Sequence, residues 1–480
     1  MGRRIPMWQI LLVMLVLMLS LMWTILITEG YVHIPLIISA VFGAIIAIAN
    51  GFKWAYIEKG IINNIGRSMQ AILILLCIGM LIGTWIAGGI VPALIYYGLM
   101  IMSPSVYLVA TCLICCVVSL ATGSSWTTAG TVGIALIGIG TGLGIPMGMA
   151  AGAIISGAYF GDKMSPLSDT TNLAPAMAGS TLFEHIRHMC YTTGPSLIIA
   201  LILYAVLGMG RGGADVDMSQ VDVLMNAMKD NFTISPILII PPLLVIAIVV
   251  LRVPALPGLF AGVILGVICA VAFQGADLGE VVTITAYDGF VSETGNEFID
   301  DLLTRGGFKS MYYTVGLIIS AMCIGGVLDS TNMLKILCES LLKLAKGTGS
   351  LVLITVITCI VTNIAASDQY LSLVLPGRMY KEAFEDRRLK NKNLSRILED
   401  SGTLTSPLVP WNTCGTYQAT TLGVSTMTYF PYCFLNLINP LVSIFYGFTG
   451  ITMEKMTDEE YEACMRQRAL DAELAAKTME

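Results

Sequence analysis

Long runs of apolar residues, separated by short polar connections, cover almost the whole chain. A helix needs about 20 apolar residues to cross a hydrocarbon layer about 30 Å thick. The pattern therefore predicts about ten membrane-crossing helices, at 7–29, 32–50, 68–92, 144–179, 191–209, 234–252, 254–275, 308–329, 397–428 and 430–451.

Two further apolar stretches, at about 104–142 and 348–377, are too long for one crossing. Small polar residues interrupt them in the middle, at 122–128 and at 366–369. Backbone amides in hydrocarbon must find partners within the protein, so such breaks are tolerated only where they are buried or border water. Each stretch is therefore predicted to be a re-entrant hairpin.

The second half of the chain repeats the first. At a shift of 244 positions, four residues of the first hairpin meet identical residues in the second: Thr111, Cys115, Val117 and Ala121. Ile82-Gly83 recurs at a shift of 242, and Ser165-Pro166-Leu167 at a shift of 241. Each half has five predicted crossings, and this odd number gives the halves opposite membrane orientation. Inverted repeats are typical of secondary transporters, because mirror-related halves can open a central site to each side in turn.

The predicted fold is thus an all-α integral membrane protein. It has about ten transmembrane helices in two inverted five-helix repeats, each with a re-entrant hairpin and a broken helix. The repeats occupy 1–209 and 234–451, with an acidic external linker at 210–233 and a cytoplasmic C-terminal tail at 452–480.

The charges of the connections orient this arrangement. With Arg3 and Arg4 at a cytoplasmic N terminus, the other basic connections also fall inside, as the positive-inside rule expects; they carry Lys53, Lys59, Arg67, Arg387, Arg388, Lys390 and Lys392. The acidic stretches fall outside, with Asp215, Asp217, Asp222 and Asp230 in the first and 277–301 in the second. Both termini are therefore predicted to be cytoplasmic, with Ser124 approached from outside and Asp368 from inside.

Composition agrees with a membrane protein and narrows the function. Hydrophobic residues make up 56% of the chain and charged residues only 12%, against about 25% charged in soluble proteins. The net charge of -6 and the lack of a basic patch exclude a nucleic-acid partner. No enzyme is expected, because the histidines His33, His185 and His188 are all predicted near interfaces. No cofactor is predicted, and a channel would not need inverted broken-helix repeats.

Candidate chemistry concentrates at two breaks inside predicted helices, at 161–172 and 403–413. Pro166, Pro407 and Pro410 remove helical amide donors there and free backbone carbonyls. Hydroxyl and amide side chains surround them. Oxygen ligands of this kind suit a hard cation such as sodium, and discontinuous helices coordinate such ions in many transporters.

Carboxylates within the predicted membrane-spanning segments narrow the set of candidate ion-binding residues further. A charge at the bilayer centre costs at least about 2.5 kcal/mol on insertion scales, so Asp162, Asp169 and Asp368 are functional candidates. A buried carboxylate can neutralise its charge with either a proton or a sodium ion, which is a simple basis for exchange. Alternatively, Asp162, Glu399 and Asp400 lie at the membrane–water interface, where a charged side chain needs no functional explanation.

The sequence predicts two ion-binding loci of different composition. In the first, Asp169 is the expected carrier carboxylate, and the other members are Asp162, Ser168, Thr170, Asn172, Ser124 and Ser125. The second consists of Asp368, Ser367, Ser406, Asn412 and Thr413. Asp368 could alternatively serve only as a helix cap. Lys163 is the only Lys or Arg in the two breaks and is a possible anchor for an anion.

The run at 161–175, Gly-Asp-Lys-Met-Ser-Pro-Leu-Ser-Asp-Thr-Thr-Asn-Leu-Ala-Pro, resembles the signature of the NhaC-type sodium/proton antiporter family. The region 401–423, with Pro407, Pro410, Trp411 and Asn412, is similar to it as well. The resemblance covers almost the whole chain. It implies a bacterial or archaeal inner-membrane exchanger of sodium ions and protons, in some members of malate and protons for lactate and sodium.

The layout is also similar to that of the wider ion-transporter superfamily. That resemblance implies a homodimer, in contact with membrane lipid, in which an elevator-like transport domain moves. Its dicarboxylate transporters carry Ser-Asn-Thr hairpin tips, whereas the tips here read Gly-Ser-Ser-Trp and Ala-Ser-Asp-Gln. Small carboxylates remain an alternative substrate, as in a sodium-coupled organic-acid exchanger.

Overall fold

The computed structural model describes residues 3–28, 30–210, 218–295 and 297–479. Within these ranges the chain is helical, and its paired extended residues are limited to two isolated bridges, Phe290 with Arg305 and Leu389 with Lys455. The predicted all-α class is therefore confirmed.

Six helices are long and apolar enough to cross a membrane: Met69–Ala87, Pro104–Thr122, Leu182–Met209, Ala255–Gln274, Phe308–Ser330 and Thr348–Ala366. Two bent helix pairs raise the number to eight if each pair is one span. Shorter apolar helices occur at Met7–Trp23, His33–Ala49 and Ile90–Ile101. The chain is therefore a multi-pass membrane protein.

The remaining helices connect or interrupt these spans. In the first half they are Trp54–Arg67, Ser125–Thr128, Ile134–Gly142, Met147–Met164 and Asp169–Ala178. In the second half they are Met218–Asn231, Ile240–Val250, Leu278–Glu280, Ala286–Asp288, Glu297–Leu303, Met333–Leu342, Gln369–Glu385, Asn391–Leu398, Thr413–Leu422, Thr426–Tyr429, Phe434–Thr449 and Asp458–Met479. Single π-helical turns lie at Thr24–Thr28, Ala129–Gly133, Val281–Thr285 and Glu399–Thr403, and short 3-10 turns at Pro236–Ile239, Phe308–Met311, Ser406–Leu408 and Phe430–Tyr432.

Several boundaries differ from the predicted spans. The helix predicted to begin at position 191 begins at Leu182, and the span predicted at 68–92 ends at Ala87. Trp54–Arg67 and Met333–Leu342 were not predicted, because each is apolar on one face only and lacks a continuous apolar run. In the linker, a helix occupies Met218–Asn231, while Asp215 and Asp217 lie outside the described residues.

Four substructures meet at the centre of the molecule. The first hairpin is 104–142, the second hairpin is 348–385, the first interrupted helix is 147–178 and the second interrupted helix is 391–422. Pro104–Thr122 packs extensively against Met147–Met164, and Gln369–Glu385 packs against Asp169–Ala178. The second hairpin therefore contacts the first interrupted helix across the middle of the protein.

Both hairpins turn in the same way at their tips. The first turns at Gly123 with a φ of 69°, and the second at Ser367 with a φ of 59°. In each hairpin the next residue caps the following helix: the Ser124 hydroxyl accepts from the Thr127 amide at 3.1 Å, and the Asp368 carboxylate from the Leu371 amide at 2.8 Å. A Cβ at Gly123 would lie 2.7 Å from the Leu167 backbone carbon, so glycine lets this tip approach the break in the first interrupted helix.

Candidate functional site

A cavity of about 1160 Å³ lies between the two hairpin tips and the two interrupted helices. Six of the residues predicted as ion ligands line it: Ser124, Asp162, Asp169, Thr170, Asp368 and Thr413. These residues come from both halves of the chain, so the structure brings members of both predicted loci to one cavity.

Asp162 is the best-coordinated carboxylate on this cavity. It lies one turn before the break, on a helix that ends at Met164, and its residue is only 8% exposed. One carboxylate oxygen accepts a hydrogen bond from the Ser125 hydroxyl at 2.6 Å, and the other from the Ser168 hydroxyl at 2.7 Å. The two hydroxyls come from the hairpin tip and from the break, so three separate segments meet at one carboxylate.

Side chains beyond the break satisfy the carbonyls that it frees. The Thr171 hydroxyl bonds the carbonyls of Asp162 and Lys163, each at 2.8 Å. The Asn172 amide donates to the Pro166 carbonyl at 2.9 Å and to the Ser168 carbonyl at 2.7 Å. Asn172, which the sequence predicts as a ligand, thus holds the backbone of the break in this conformation.

Asp169 has a different environment from Asp162. It is the first residue of the helix Asp169–Ala178 and is exposed to the cavity. The hydroxyls of Ser168 and Thr170 lie 3.1 Å apart, and Ser168 donates to Asp162. The predicted helpers of Asp169 are therefore organised around Asp162.

The second hairpin tip lies against the second interrupted helix. The Thr413 amide donates to the Ser367 carbonyl at 3.1 Å, and the Ser367 hydroxyl is buried with no hydrogen-bond partner among the described residues. Asp368 uses one oxygen to cap its own helix. The capping alternative for Asp368 is thus present, together with a position on the cavity wall.

Asn412 and Ser406 lie deeper, in the break of the second interrupted helix. The Asn412 side chain accepts from the Cys414 amide at 3.0 Å and donates to the Asn363 side chain at 3.2 Å. Asn363 in turn donates to the Gly402 carbonyl at 2.8 Å. The Ser406 hydroxyl donates to the Thr403 carbonyl at 2.7 Å. These contacts stabilise the break, and Asn412 and Ser406 do not line the cavity.

A buried ion pair links the two interrupted helices. Lys163 and Asp400 are in direct contact, and both side chains are 0% exposed. Asp400 also accepts from the Thr192 hydroxyl at 3.0 Å and from the Asn439 amide at 2.7 Å, and Arg396 lies 3.8 Å away. The interfacial alternative for Asp400 is therefore wrong, and Lys163, predicted as an anion anchor, does not face the cavity in this conformation.

Glu399 is buried beside this pair. Its side chain is fully buried and begins the π-helical turn at Glu399–Thr403. Neither carboxylate oxygen has a hydrogen bond of good geometry with any described residue, although Thr403, Lys163 and Thr170 lie near it. The sequence marked Glu399 only as a carboxylate near the start of the second interrupted helix.

The two hairpin tips border a common space in this conformation, and their approach from opposite sides of the membrane stays a prediction. Ser124 and Asp368 line one cavity, whose wall also includes Arg67, Arg252 and Asp329. Arg67 forms a salt bridge with Asp329 at 3.1 Å. The sequence expects Arg67 on the cytoplasmic side, because it lies in a basic connection between two crossings.

His185 and His188 are buried and contact polar groups of neighbouring segments. His185 lies 2.9 Å from the Ser395 hydroxyl, and His188 lies 2.9 Å from the Thr452 carbonyl. Both rings are buried. No group of three or more His, Cys, Asp or Glu side chains in the described part of the chain could hold a metal ion.

The family profile described as the Na+/H+ antiporter family matches residues 157–451. This range includes the break of the first interrupted helix, the second hairpin and the second interrupted helix. The chain belongs to this family.

Relatives with curated names are similar to this chain over most of their own length. The Na(+)/H(+) antiporter NhaC of Alkalihalophilus pseudofirmus is 41% identical over 92% of this chain and 96% of its own. The malate-2H(+)/Na(+)-lactate antiporter of Bacillus subtilis is 41% identical over 87% of this chain and 89% of its own. The arginine/ornithine antiporter ArcD of Halobacterium salinarum is 37% identical over 89% of each chain. These relatives are thus named for different substrates.

Proposed function

We propose that this chain exchanges sodium ions for protons across the cytoplasmic membrane by alternating access. The observation that carries the proposal is Asp162, a buried carboxylate at a helix break that hydroxyls from two other segments contact on the wall of a central cavity. Two relatives named as Na(+)/H(+) antiporters support the same exchange. The proposal includes no enzymatic step and no cofactor.

The sodium ion binds between the Asp162 carboxylate and the hydroxyl oxygens of Ser125 and Ser168. In the sodium-free state these hydroxyls donate to the carboxylate, and rotation of each O–H bond turns an oxygen lone pair toward an arriving cation. Asp169 lies at the cavity surface and attracts the ion before it binds. Thr170 supplies a further oxygen beside Ser168.

A second ion locus includes Asp368, Ser367 and Thr413. It is supported by the exposure of Asp368 to the same cavity and by the unpartnered Ser367 hydroxyl at the tip. Ser406 and Asn412 hold the backbone around it.

Ten crossings in two inverted repeats, at 1–209 and 234–451, account for the order of the helices. Support comes from the matched turns at Gly123 and Ser367. It also comes from reciprocal packing: His33–Ala49 packs against Tyr312–Ser330, as Ala255–Gln274 packs against Met69–Ala87. The segment 210–233 is then an external linker, and both termini, with the tail 452–480, are cytoplasmic.

This conformation is open to the cytoplasm. The cavity wall includes Arg67, which lies in a connection that the charge pattern assigns to the inside. The hairpins and interrupted helices move together as an elevator-like body, and two copies of the chain form a homodimer in the lipid bilayer. Packing of the second hairpin against the first interrupted helix supports the single moving body, and family resemblance supports the dimer.

A second candidate function is sodium-coupled organic-acid exchange. It is favoured by three arginines on the cavity wall, Arg67, Arg252 and Arg378, because guanidinium groups bind carboxylates in a bidentate geometry. The malate/lactate relative is consistent with it.

Purified protein in proteoliposomes tests both candidates. The vesicles carry a pH-sensitive dye and sodium-22, and labelled malate and lactate are added in parallel samples. Sodium/proton exchange predicts dye acidification during sodium efflux without any organic acid. A requirement for malate or lactate would contradict the first candidate and support the second.

A further inference from the structure

Arg305 contacts the end of the second interrupted helix. Its guanidinium lies against Gly423: a Cβ added to Gly423 would lie 3.0 Å from the guanidinium carbon and closer still to one of the nitrogens. Gly423 has a φ of 70° and directly follows the last turn of helix Thr413–Leu422. Arg305 pairs with no Asp or Glu side chain in the described part of the chain. Its positive charge therefore lies at the carboxyl end of a helix, where unpaired carbonyls carry partial negative charge.

The backbone of Arg305 is attached to a different part of the protein. Its amide donates to the Phe290 carbonyl at 3.1 Å, and its carbonyl accepts from the Phe290 amide at 3.0 Å. Two residues later, the Gly307 amide donates to the Gly79 carbonyl at 2.7 Å. A Cβ at Gly79 would lie 2.5 Å from the Gly307 carbonyl oxygen, so the two backbones touch. Arg305 is thus held by helix Met69–Ala87, which belongs to neither hairpin and to neither interrupted helix.

A second contact crosses the same boundary. The hydroxyls of Thr314 and Thr420 lie 2.6 Å apart. Thr314 is 0% exposed and lies in the first turn of helix Tyr312–Ser330, and Thr420 lies in the last turn of helix Thr413–Leu422. The end of the second interrupted helix is therefore held by two contacts with helices outside the central substructures.

Both contacts lie far from the cavity. Thr413, the first residue of helix Thr413–Leu422, lines the cavity, and its ten residues span about 15 Å. The charge pattern assigns the acidic stretch 277–301, next to Arg305, to the outside, and it assigns Arg67 on the cavity wall to the inside. A path from the cavity to the outside along this helix therefore stays closed while Arg305 contacts its end.

Tyr417 connects the same helix to the first hairpin tip. The rings of Tyr417 and Trp126 stack with their centroids 4.0 Å apart, and the Tyr417 hydroxyl donates to the Trp126 carbonyl at 2.7 Å. Trp126 directly follows Ser125 in the chain and lines the cavity. A movement of the helix end can therefore displace the hairpin tip together with it.

We propose that the contact of Arg305 with Gly423 is an external latch, which keeps the protein closed to the outside while the cavity is open to the cytoplasm. Alternating access requires a second conformation in which the cavity opens outward. A contact that is present in only one of two conformations shifts the equilibrium toward that conformation, so the latch has to release in each cycle. This inference rests on the proposed alternating access and names a residue that stabilises one of its two conformations.

Thiol labelling from the outside tests the external latch. In a variant without native cysteines, Thr314→Cys is the reporter, because the side chain at this position is fully buried in contact with Thr420 and is uncovered when the helix end moves away. Intact cells that express the protein receive a membrane-impermeant maleimide. Arg305→Ala should raise the labelling rate by about two- to fivefold, as expected for the loss of a charge at a helix end.

Two further variants are the controls. Arg305→Lys keeps a positive charge at the helix end and should be labelled as slowly as the reporter with the native Arg305. Lys309→Ala removes a cation from the same segment, but Lys309 is exposed and pairs with Asp288 at 2.9 Å, so this variant should also be labelled slowly. An unchanged rate in Arg305→Ala, or an equal increase in Lys309→Ala, would overturn the inference.

A cross-link keeps the test decisive if Arg305→Ala does not fold. In the double variant Thr314→Cys/Thr420→Cys, two thiols replace hydroxyls that lie 2.6 Å apart, and oxidation with copper phenanthroline should join them as a disulfide. The cross-linked protein should lose sodium/proton exchange in proteoliposomes, and dithiothreitol should restore it, whereas oxidant should not affect either single variant.

The same assay separates this inference from the proposed function. Exchange at the unoxidised rate in fully cross-linked protein would overturn the external latch and leave sodium/proton exchange intact. An absence of sodium-driven acidification in wild type would instead overturn the proposed function.

Discussion

Lys163 and Asp400 form an ion pair with no solvent exposure, and the pair joins the two interrupted helices. Asp400 accepts further hydrogen bonds from Thr192 and Asn439. Burying two charges costs both of them their hydration, and their mutual attraction offsets this cost. Removing one partner leaves the other charge buried and unpaired, which is strongly destabilising. The contact therefore fixes the two breaks relative to each other.

Breaking this pair should destabilise the protein strongly. Either Lys163→Met or Asp400→Asn should lower the free energy of unfolding in detergent by about 3–5 kcal/mol, because each leaves a buried charge without its main partner. The double variant should lose at least about 1 kcal/mol less than the sum of the single losses. Strict additivity in this double-mutant cycle would mean that the two side chains are not energetically coupled.

Sodium affinity should distinguish the two aspartates of the first locus. Asp162→Asn should abolish saturable sodium binding, because the buried carboxylate is the centre of the proposed ligand set. Asp169→Asn should raise the half-saturating concentration by less than about tenfold, since an exposed charge acts through water at about 1 kcal/mol. Sodium-22 binding measures both.

Asp329→Asn serves as the control for this comparison. Asp329 is on the same cavity wall, where it pairs with Arg67, and its variant should bind sodium nearly as wild type does. If Asp169→Asn abolished binding and Asp162→Asn retained it, the carrier role would return to Asp169.

The sequence alone predicted the hairpin tips and the helix breaks closely. These features depend on local signals: a Gly-Ser pair at 123–124, a Ser-Asp pair at 367–368, and Pro166 in an apolar run. The polar residues at the hairpin tips and helix breaks therefore also indicated where the central cavity lies.

The choice between Asp162 and Asp169 was not predictable from the sequence. Helix Met147–Met164 continues one turn beyond Gly161, which turns Asp162 toward the first hairpin tip, while Asp169 starts a new helix at the cavity. The Lys163–Asp400 contact joins residues that are far apart in sequence, and only the packed structure brings them together. The neighbourhood of Glu399 depends on the same packing.

Asp368→Asn should separate ion binding from capping in the second locus. Asparagine is as good an N-cap as aspartate, so the bond to the Leu371 amide is retained and unfolding should occur near the wild-type temperature. If Asp368 is an ion ligand, the loss of charge should raise the sodium concentration for half-maximal exchange by about tenfold, equivalent to about 1.4 kcal/mol. Wild-type sodium affinity in this variant would leave only the first locus.

The C-terminal helix should detach in acid. Arg388 pairs with Asp458, and Lys390 with Glu460 at 2.8 Å. The hydrogen bond from Lys390 lowers the pKa of Glu460 below its usual value. A lowered pKa in the docked state stabilises docking at neutral pH, and this contribution is lost as the pH falls through the lowered value.

Limited proteolysis of the tail measures this docking. Cleavage should be slow at about pH 7 in wild type and faster near pH 3, below the lowered pKa of Glu460, with a protease active at both. Arg468→Ala, which removes contacts with Glu382 and Asp386, should give fast cleavage at both values. Equal cleavage of wild type at the two pH values would contradict a charge-dependent dock.

Sodium-driven acidification of proteoliposomes tests the central claim most directly. Vesicles that contain sodium and a pH-sensitive dye are diluted into sodium-free buffer, with equal amounts of folded wild type, Asp162→Asn or Asp329→Asn. Wild type and Asp329→Asn should acidify the lumen as sodium leaves, whereas Asp162→Asn should give the same trace as protein-free vesicles. Acidification by Asp162→Asn at the wild-type rate would contradict the assignment of sodium to this carboxylate.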